Sequence, residues 1–186
     1  MKKDRATKSK KFFGGMVTGW LLIVWLTLVN NVQAQSCEYK FIPASTPDSQ
    51  LVDNGDGTIT DLKTGLMWQK CSQGQSSGDC SVGSAEAFTW QQALQRAQTV
   101  NSSGGFAGHV DWRLPNIKEL VTLVERQCMH PAINLTRFPN TPEAFYWSST
   151  PWIIYQNVTA RIVYFEDGTT NYFGDSSQLR LVRSAP

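Results

Sequence analysis

Four cysteines, Cys37, Cys71, Cys80 and Cys128, follow a leader that is first basic and then apolar, and this combination constrains the chain more than any other feature. The first eleven residues carry Lys2, Lys3, Arg5, Lys8, Lys10 and Lys11 against the single acid Asp4, and an apolar run from Phe12 to Val29 follows directly. A charged segment followed by an apolar one, ending at Val32-Gln33-Ala34 with small or short residues where a signal peptidase reads, is the pattern of a secretion signal. Cleavage is expected between Ala34 and Gln35, giving a leader over residues 1–34 and one domain over residues 35–186. Two alternatives are an uncleaved anchor, since the run approaches the ~18 apolar residues of a membrane helix, and a lipid on Cys37. Against the first, Gly14, Gly15 and Gly19 interrupt the run and no basic stop follows it. Against the second, Ala34-Gln35-Ser36 is a poor approach to an acylated cysteine.

Export, periplasmic or extracellular, places the cysteines where thiols oxidise, and an even count of four implies two disulfides with three possible connectivities. Cys71 and Cys80 enclose the stretch CSQGQSSGDC, rich in Gly and Ser, which closes a loop without strain; pairing them leaves Cys37 with Cys128. Each bridge should stabilise the fold by about 2–4 kcal/mol. With no C-x-x-C pair, and with His109 and His130 away from ligand spacing, the cysteines do not read as a metal site, and no cofactor is implied.

Charge is read after the leader is set aside. Six of the seventeen basic residues and one of the fifteen acids lie in the first eleven positions, which leaves eleven against fourteen, a balance of −3. The apparent basicity is therefore an address label, and the domain's own composition does not point to nucleic acid as a partner. Once the leader is removed, no stable membrane span is expected.

Beyond Leu51 the sequence LVDNGDGTITDLKTGLMWQK alternates short β-prone runs with the turns Asn54-Gly55-Asp56-Gly57 and Lys63-Thr64-Gly65, a meander of strands. Asp53, Asp56 and Asp61 suggest a calcium loop, but positions one, three and five would be Asp53, Gly55 and Gly57, and the twelfth would be Thr64. Thr89-Trp90-Gln91-Gln92 has the form of a capping box, and Trp90, Ala93, Leu94, Ala97 and Val100 then fall on one helical face, predicting a helix from Thr89 to Val100. After the glycine-rich loop 101–108, Asn116 and Glu119 form a second box, with Ile117, Leu120, Val121 and Val124 as the buried stripe of a helix that ends before Cys128. The rest reads as strands: 145–149, 160–165, 169–173 and 178–183, with 151–157 as a connecting loop. Strands, two helices and strands again make an α+β domain with antiparallel sheets.

Four segments in this order, DNGDGTITDLKTGLMWQK, DWRLPNIKEL, YWSS and RLVRS, resemble the Lcl C-terminal domain family, named for a Legionella collagen-like adhesin, over nearly all of residues 53–183. The resemblance implies a C-type-lectin-like fold, related in shape to formylglycine-generating enzymes, and placement outside the cytoplasm. For function it implies adhesin-like binding, the namesake being associated with sulfated glycosaminoglycans. The chain departs from these relatives in several respects. Collagen-like repeats are absent, the acidic balance runs against polyanion binding, and no cysteine follows Cys128, whereas formylglycine generation depends on cysteines late in the domain. The E-P-N, Q-P-D and W-N-D motifs of calcium-dependent lectins are also missing; Phe138-Pro139-Asn140 matches the first only superficially.

Within DWRLPN, Asp111, Trp112, Arg113 and Pro115 read as scaffold: a core aromatic, a paired guanidinium and a chain break before a helix. Trp68, Trp90 and Trp147 read the same way. Glu119 and Glu125 lie six apart, off a common helical face, and Ser148 and Ser149 have no G-x-S-x-G context, so no catalytic set is expected and the chain does not read as an enzyme. His109 reads as a solvent-facing loop residue.

The segment PWIIYQN, 151–157, is different, because aromatic and aliphatic residues occupy an expected loop. Trp152 and Tyr155, with Asn157, Asn171, Tyr172 and Asp175 nearby, would form aromatic platforms edged by amides and a carboxylate, chemistry suited to sugars or peptides. The alternative is a loop folded back over the core. The expected function is a binding module for carbohydrate or for a cell-surface or envelope protein; the alternatives are an envelope structural protein with no small ligand and, third, an enzyme with an unrecognised site.

Overall fold

Pairs of β-prone runs separated by short glycine turns fold as antiparallel ladders, and the computed structural model of the chain, which describes residues 34–154, 157–173 and 175–186, joins such ladders into four sheets. The expected leader lies outside the described residues, apart from Ala34. Strand β1 (Ser36–Cys37) is followed by the meander β2 (Leu51–Asp53), β3 (Thr58–Asp61) and β4 (Leu66–Gln69), and by a small hairpin of β5 (Gln75–Ser76) and β6 (Val82–Gly83). Helices α1 (Trp90–Ser102) and α2 (Ile117–Val121) come next, then β7 (Cys128–Met129), β8 (Phe145–Ile154), β9 (Asn157–Tyr164), β10 (Thr169–Phe173) and β11 (Val182–Ser184). The sheets are ordered β11-β4-β3-β2, β10-β9-β8, β1-β7 and β5-β6, and every pairing is antiparallel. The expected α+β class holds.

Two apolar clusters hold the fold, and the larger sheets separate them. Successive strand residues point to opposite faces, so in β4 Leu66 and Trp68 enter one cluster while Met67 enters the other. In the three-stranded sheet the register pairs Tyr146 with Val163 and Trp147 with Ile162. The first pair packs with Leu120, Phe138 and Phe165, and the second with Ala93, Ala97 and Leu181. Burial on both faces explains why β4 and the near half of β8 lack the alternation of a one-sided sheet. Trp68 and Trp147 are fully buried and Trp90 packs partly buried against the second cluster, so all three are scaffold as expected.

The capping boxes form as read: Thr89 with Gln92, and Asn116 with Glu119. Helix α1 continues two residues past the expected Val100, because Asn101 and Ser102 remain in the last turn. Leu94 departs from the expected stripe and lies exposed, since the buried face narrows to Ala93 and Ala97. Helix α2 has only five residues, shorter than expected. The Thr122 hydroxyl bonds back to Glu119 O, and the Glu125 backbone N–H pairs with Ala132 O, so the chain leaves the helix for turns that still bury Leu123 and Val124.

Segment 151–157 is corrected as well: β8 runs through Ile154 and β9 begins at Asn157, so the expected loop is the far end of a hairpin. Pro151 is tolerated there because β8 is an edge strand, where a missing N–H costs no ladder bond. A bulge between Trp147 and Pro151 absorbs the extra residues. The last strand is shorter than expected, because Gln178 pairs with Phe145 and Trp147, the carbonyls of Leu179 and Leu181 accept singly from Gln73 N and Gln69 N, and only Val182–Ser184 forms a ladder.

Both disulfides pair as expected, Cys71 with Cys80 and Cys37 with Cys128. The second sits where β1 meets β7, Cys37 and Cys128 being register partners. Among the described residues no helix is long and apolar enough to cross a membrane.

Candidate functional site

The near half of the β10-β9-β8 sheet is sandwiched between the two clusters, but its far end extends beyond them. There the register pairs Trp152 with Thr159 and Tyr172 with Arg161. Paired residues and their second neighbours share a face, so Trp152, Thr159, Arg161 and Tyr172 lie on one side of the sheet. Trp152 on β8 and Tyr172 on β10 lean over the central strand until their rings stack, centroids 5.4 Å apart and planes 12° from parallel. The Arg161 guanidinium lies 5.3 Å from the Trp152 ring centre, a cation–π contact. Trp152 remains 36 % exposed and Tyr172 48 %. Among the described residues no carboxylate lies within ion-pair distance of Arg161.

Of the residues expected here, the structure brings together Trp152 and Tyr172. Asn171 alternates to the opposite face and its Oδ1 accepts the Tyr172 backbone N–H. Asn157 pairs with Ile154 at the hairpin end, and Asp175 is exposed beyond β10. Tyr155 lies outside the described residues. Arg161 was not foreseen: the signal available was the alternation of Thr159, Arg161 and Val163, which marks Arg161 as a partner of whatever faces it on β10. The reverse face of the same tip pairs Ile153, 68 % exposed, with Val158, 60 % exposed.

The DWRLPN motif is occupied elsewhere. Asp111 accepts from Arg183 Nε at 2.7 Å, a bond that holds its carboxyl below the ordinary range. Trp112 is buried, its indole N–H donating to Phe106 O and its backbone held by both ends of the Asn101 amide. Arg113 grips both oxygens of Glu119 at 2.7 Å, and Pro115 O accepts from Ser149 N. Burial alone would raise the Glu119 carboxyl, but Arg113 and the Asn116 backbone N–H outweigh it and hold the pKa down. Asp111, Trp112, Arg113 and Pro115 are thus each engaged in contacts within the fold.

Two buried polar groups carry no sequence signal. Glu125 accepts from the backbone N–H and hydroxyl of both Ser45 and Thr46 and from Gln127 N, which fastens the segment before β2. Arg180, wholly enclosed, donates to the carbonyls of Gln69 and Lys70 and to Thr141 Oγ1, and lies over the Phe138 ring. Among the described residues no group of three His, Cys, Asp or Glu side chains is placed to hold a metal ion.

A family model described as the Lcl C-terminal domain matches residues 57–183, well over half of the chain. No curated protein and no solved structure matches it. The matched span begins in the turn before β3 and includes Cys71, Cys80 and Cys128 but not Cys37, so one disulfide ties a flanking segment onto it.

Proposed function

The chain belongs to the Lcl C-terminal domain family, and from that premise we propose that it is a non-catalytic, exported binding module of C-type-lectin-like fold that holds carbohydrate on the Trp152–Tyr172–Arg161 platform. The observation that carries this reading is the exposed, stacked aromatic pair with a guanidinium beside it that has no ion-pair partner among the described residues. With Trp152 36 % exposed, about 1 kcal/mol of the burial open to it is forgone, and folding alone does not select that at a sheet end. Aromatic rings take the C–H faces of sugars, and a guanidinium donates to hydroxyls in a fixed fork. The two disulfides fit an oxidising compartment, periplasmic or extracellular.

The test is a glycan array followed by titration of the best glycan against wild type, Trp152→Ala and Tyr172→Ala. Each variant should lose about tenfold or more in affinity, 1.4 kcal/mol per decade, with a melting temperature close to wild type. Glycan binding indifferent to both substitutions, or no bound glycan at all, would refute the platform. A second reading, docking to an envelope protein, is favoured by the exposed Ile153–Val158 pair on the reverse face. Val158→Lys separates the two, because it abolishes protein docking and leaves glycan binding intact.

A further inference from the structure

Away from the platform, a cleft of about 390 Å³ opens between α1 and the chain leaving β4. Its helical wall is made by Arg96, Thr99, Val100 and Ser103, the i, i+3, i+4, i+7 spacing that shares one helix face. Residues 71–75 form the facing wall, and Phe106 lines one end. No carboxylate lines the cleft, so its wall charge comes from Arg96.

That arginine is held in a fixed orientation. Its Nε donates to Gln73 Oε1 at 2.7 Å, and Gln73 Nε2 donates to Gln69 Oε1 at 2.5 Å, Gln69 and Gln73 both being buried. The relay fixes the guanidinium plane and leaves both terminal amino groups of Arg96 without a hydrogen-bond or ion-pair partner among the described residues. One layer behind, Arg180 donates to Gln69 O and Ser72 Oγ, and it too has no carboxylate partner among the described residues. Two cations without counter-charges make this cleft locally positive within an acidic domain. Phe106 is 36 % exposed and held edge-on to Trp112 at 5.8 Å; a Cβ at Gly57 would come within 2.9 Å of its ring, so the glycine leaves it room.

We propose that the cleft binds a small hydroxylated carboxylate the size of one sugar-acid ring. Its carboxylate sits on the Arg96 fork, its C–H face lies against Phe106, and its hydroxyls meet Gln73, Thr99 and Ser103. A planar fork matches a carboxylate in two parallel bonds, and the volume lies at the lower end of the range of about 300–1,000 Å³ for small-molecule sites. This site shares no residue with the platform and does not rest on it.

The test is amide-shift NMR titration of the purified protein, expressed from the full chain, with D-galacturonate, its trimer, D-galactose and inorganic sulfate. Galacturonate, free or within the trimer, should give saturable shifts at Gln73, Gly74, Thr99, Ser103 and Phe106; which form binds better tells whether the source is a free acid or a polysaccharide. Galactose should bind at least tenfold more weakly. Arg96→Gln should lose at least tenfold and Arg96→Lys somewhat less, while Trp152→Ala should bind as wild type does. If Arg96→Gln does not fold, Arg96→Lys and Phe106→Ala carry the comparison. The proposal is overturned by the absence of saturable shifts with either acid, by galactose binding equally well, by sulfate displacing galacturonate at equal affinity, or by affinity indifferent to these substitutions.

Discussion

Replacing Cys37 and Cys128 together by alanine should cost about 1 kcal/mol more stability than replacing Cys71 and Cys80, although each pair removes one bond. The first bridge closes a loop with a sequence separation of 91 and the second one of 9. On the chain-entropy relation, whose cost grows with the logarithm of loop length, these give about 4.6 and about 2.6 kcal/mol at 25 °C. Packing narrows the gap without closing it: Cys80 is fully buried, so its loss adds a cavity cost on the order of 1 kcal/mol, while Cys37 and Cys128 are only half-buried. In a domain of this size each kcal/mol moves the melting temperature by about 2–4 °C. The long bridge should thus be worth roughly 9–18 °C and the short one, cavity included, roughly 7–14 °C. Urea unfolding of both double variants beside wild type gives the free energies directly. If the 71/80 variant proved as destabilised as the 37/128 variant, constraint of the unfolded chain would not be what the long bridge contributes.

Other substitutions probe the buried polar groups. Glu125→Gln should cost about 2–3 kcal/mol, because an amide cannot accept from Ser45, Thr46 and Gln127 at both ends. Burial would raise the Glu125 pKa, but those hydrogen bonds outweigh it and hold it below 4.5; its contribution is therefore full above the unfolded value and lost as pH falls through the folded one. Wild-type stability measured from pH 6 to pH 3 should fall in that window, and the Gln variant should lose less there. Arg180→Met should cost about 3–5 kcal/mol in urea unfolding, since it leaves the Gln69 and Lys70 carbonyls and Thr141 Oγ1 buried without a donor. Arg113→Ala should cost only about 1 kcal/mol, because its side chain is 43 % exposed and screened by solvent. Glu119→Ala should cost about twice that by the same measurement, since it also removes the acceptor for Asn116 N, one half of the capping box.

What was legible in the chain was what is local. Thr89 and Gln92, Asn116 and Glu119, and Cys71 and Cys80 lie within one turn or one short loop of each other, so spacing alone states the contact. Arg180 was not legible, because its partners stand 39 to 111 positions away and nothing near it in sequence distinguishes it from a surface arginine. Glu125 was hidden for the same reason, its partners lying 79 and 80 residues upstream. Residues 151–157 were misread as a loop because Pro151 punctuates them. The alternation around it continues, and only pairing with β9 shows that the proline sits on an edge. Two of the three residues of the candidate platform, Trp152 and Tyr172, were visible as composition; their meeting, and the arrival of Arg161, depend on the register between strands.

That register also explains how one sheet can combine a buried base with an exposed tip. Trp147 and Trp152 belong to the same strand and are five residues apart, yet one is fully buried and the other partly exposed. Between them the bulge shifts the ladder and sends Ser148 Oγ to Arg161 O, Ser149 N to Pro115 O and Thr150 Oγ1 to Ile117 N. These bonds fasten the strand to the start of α2, so packing demands end there. Beyond that line the chain is held by ladder bonds rather than by a core, and side-chain identity is released from volume matching. A rigid base that determines the position of a tip whose residues it does not constrain is the arrangement a recognition surface needs. It leaves Trp152, Arg161 and Tyr172 outside the core packing that fixes Trp147 and Ile162.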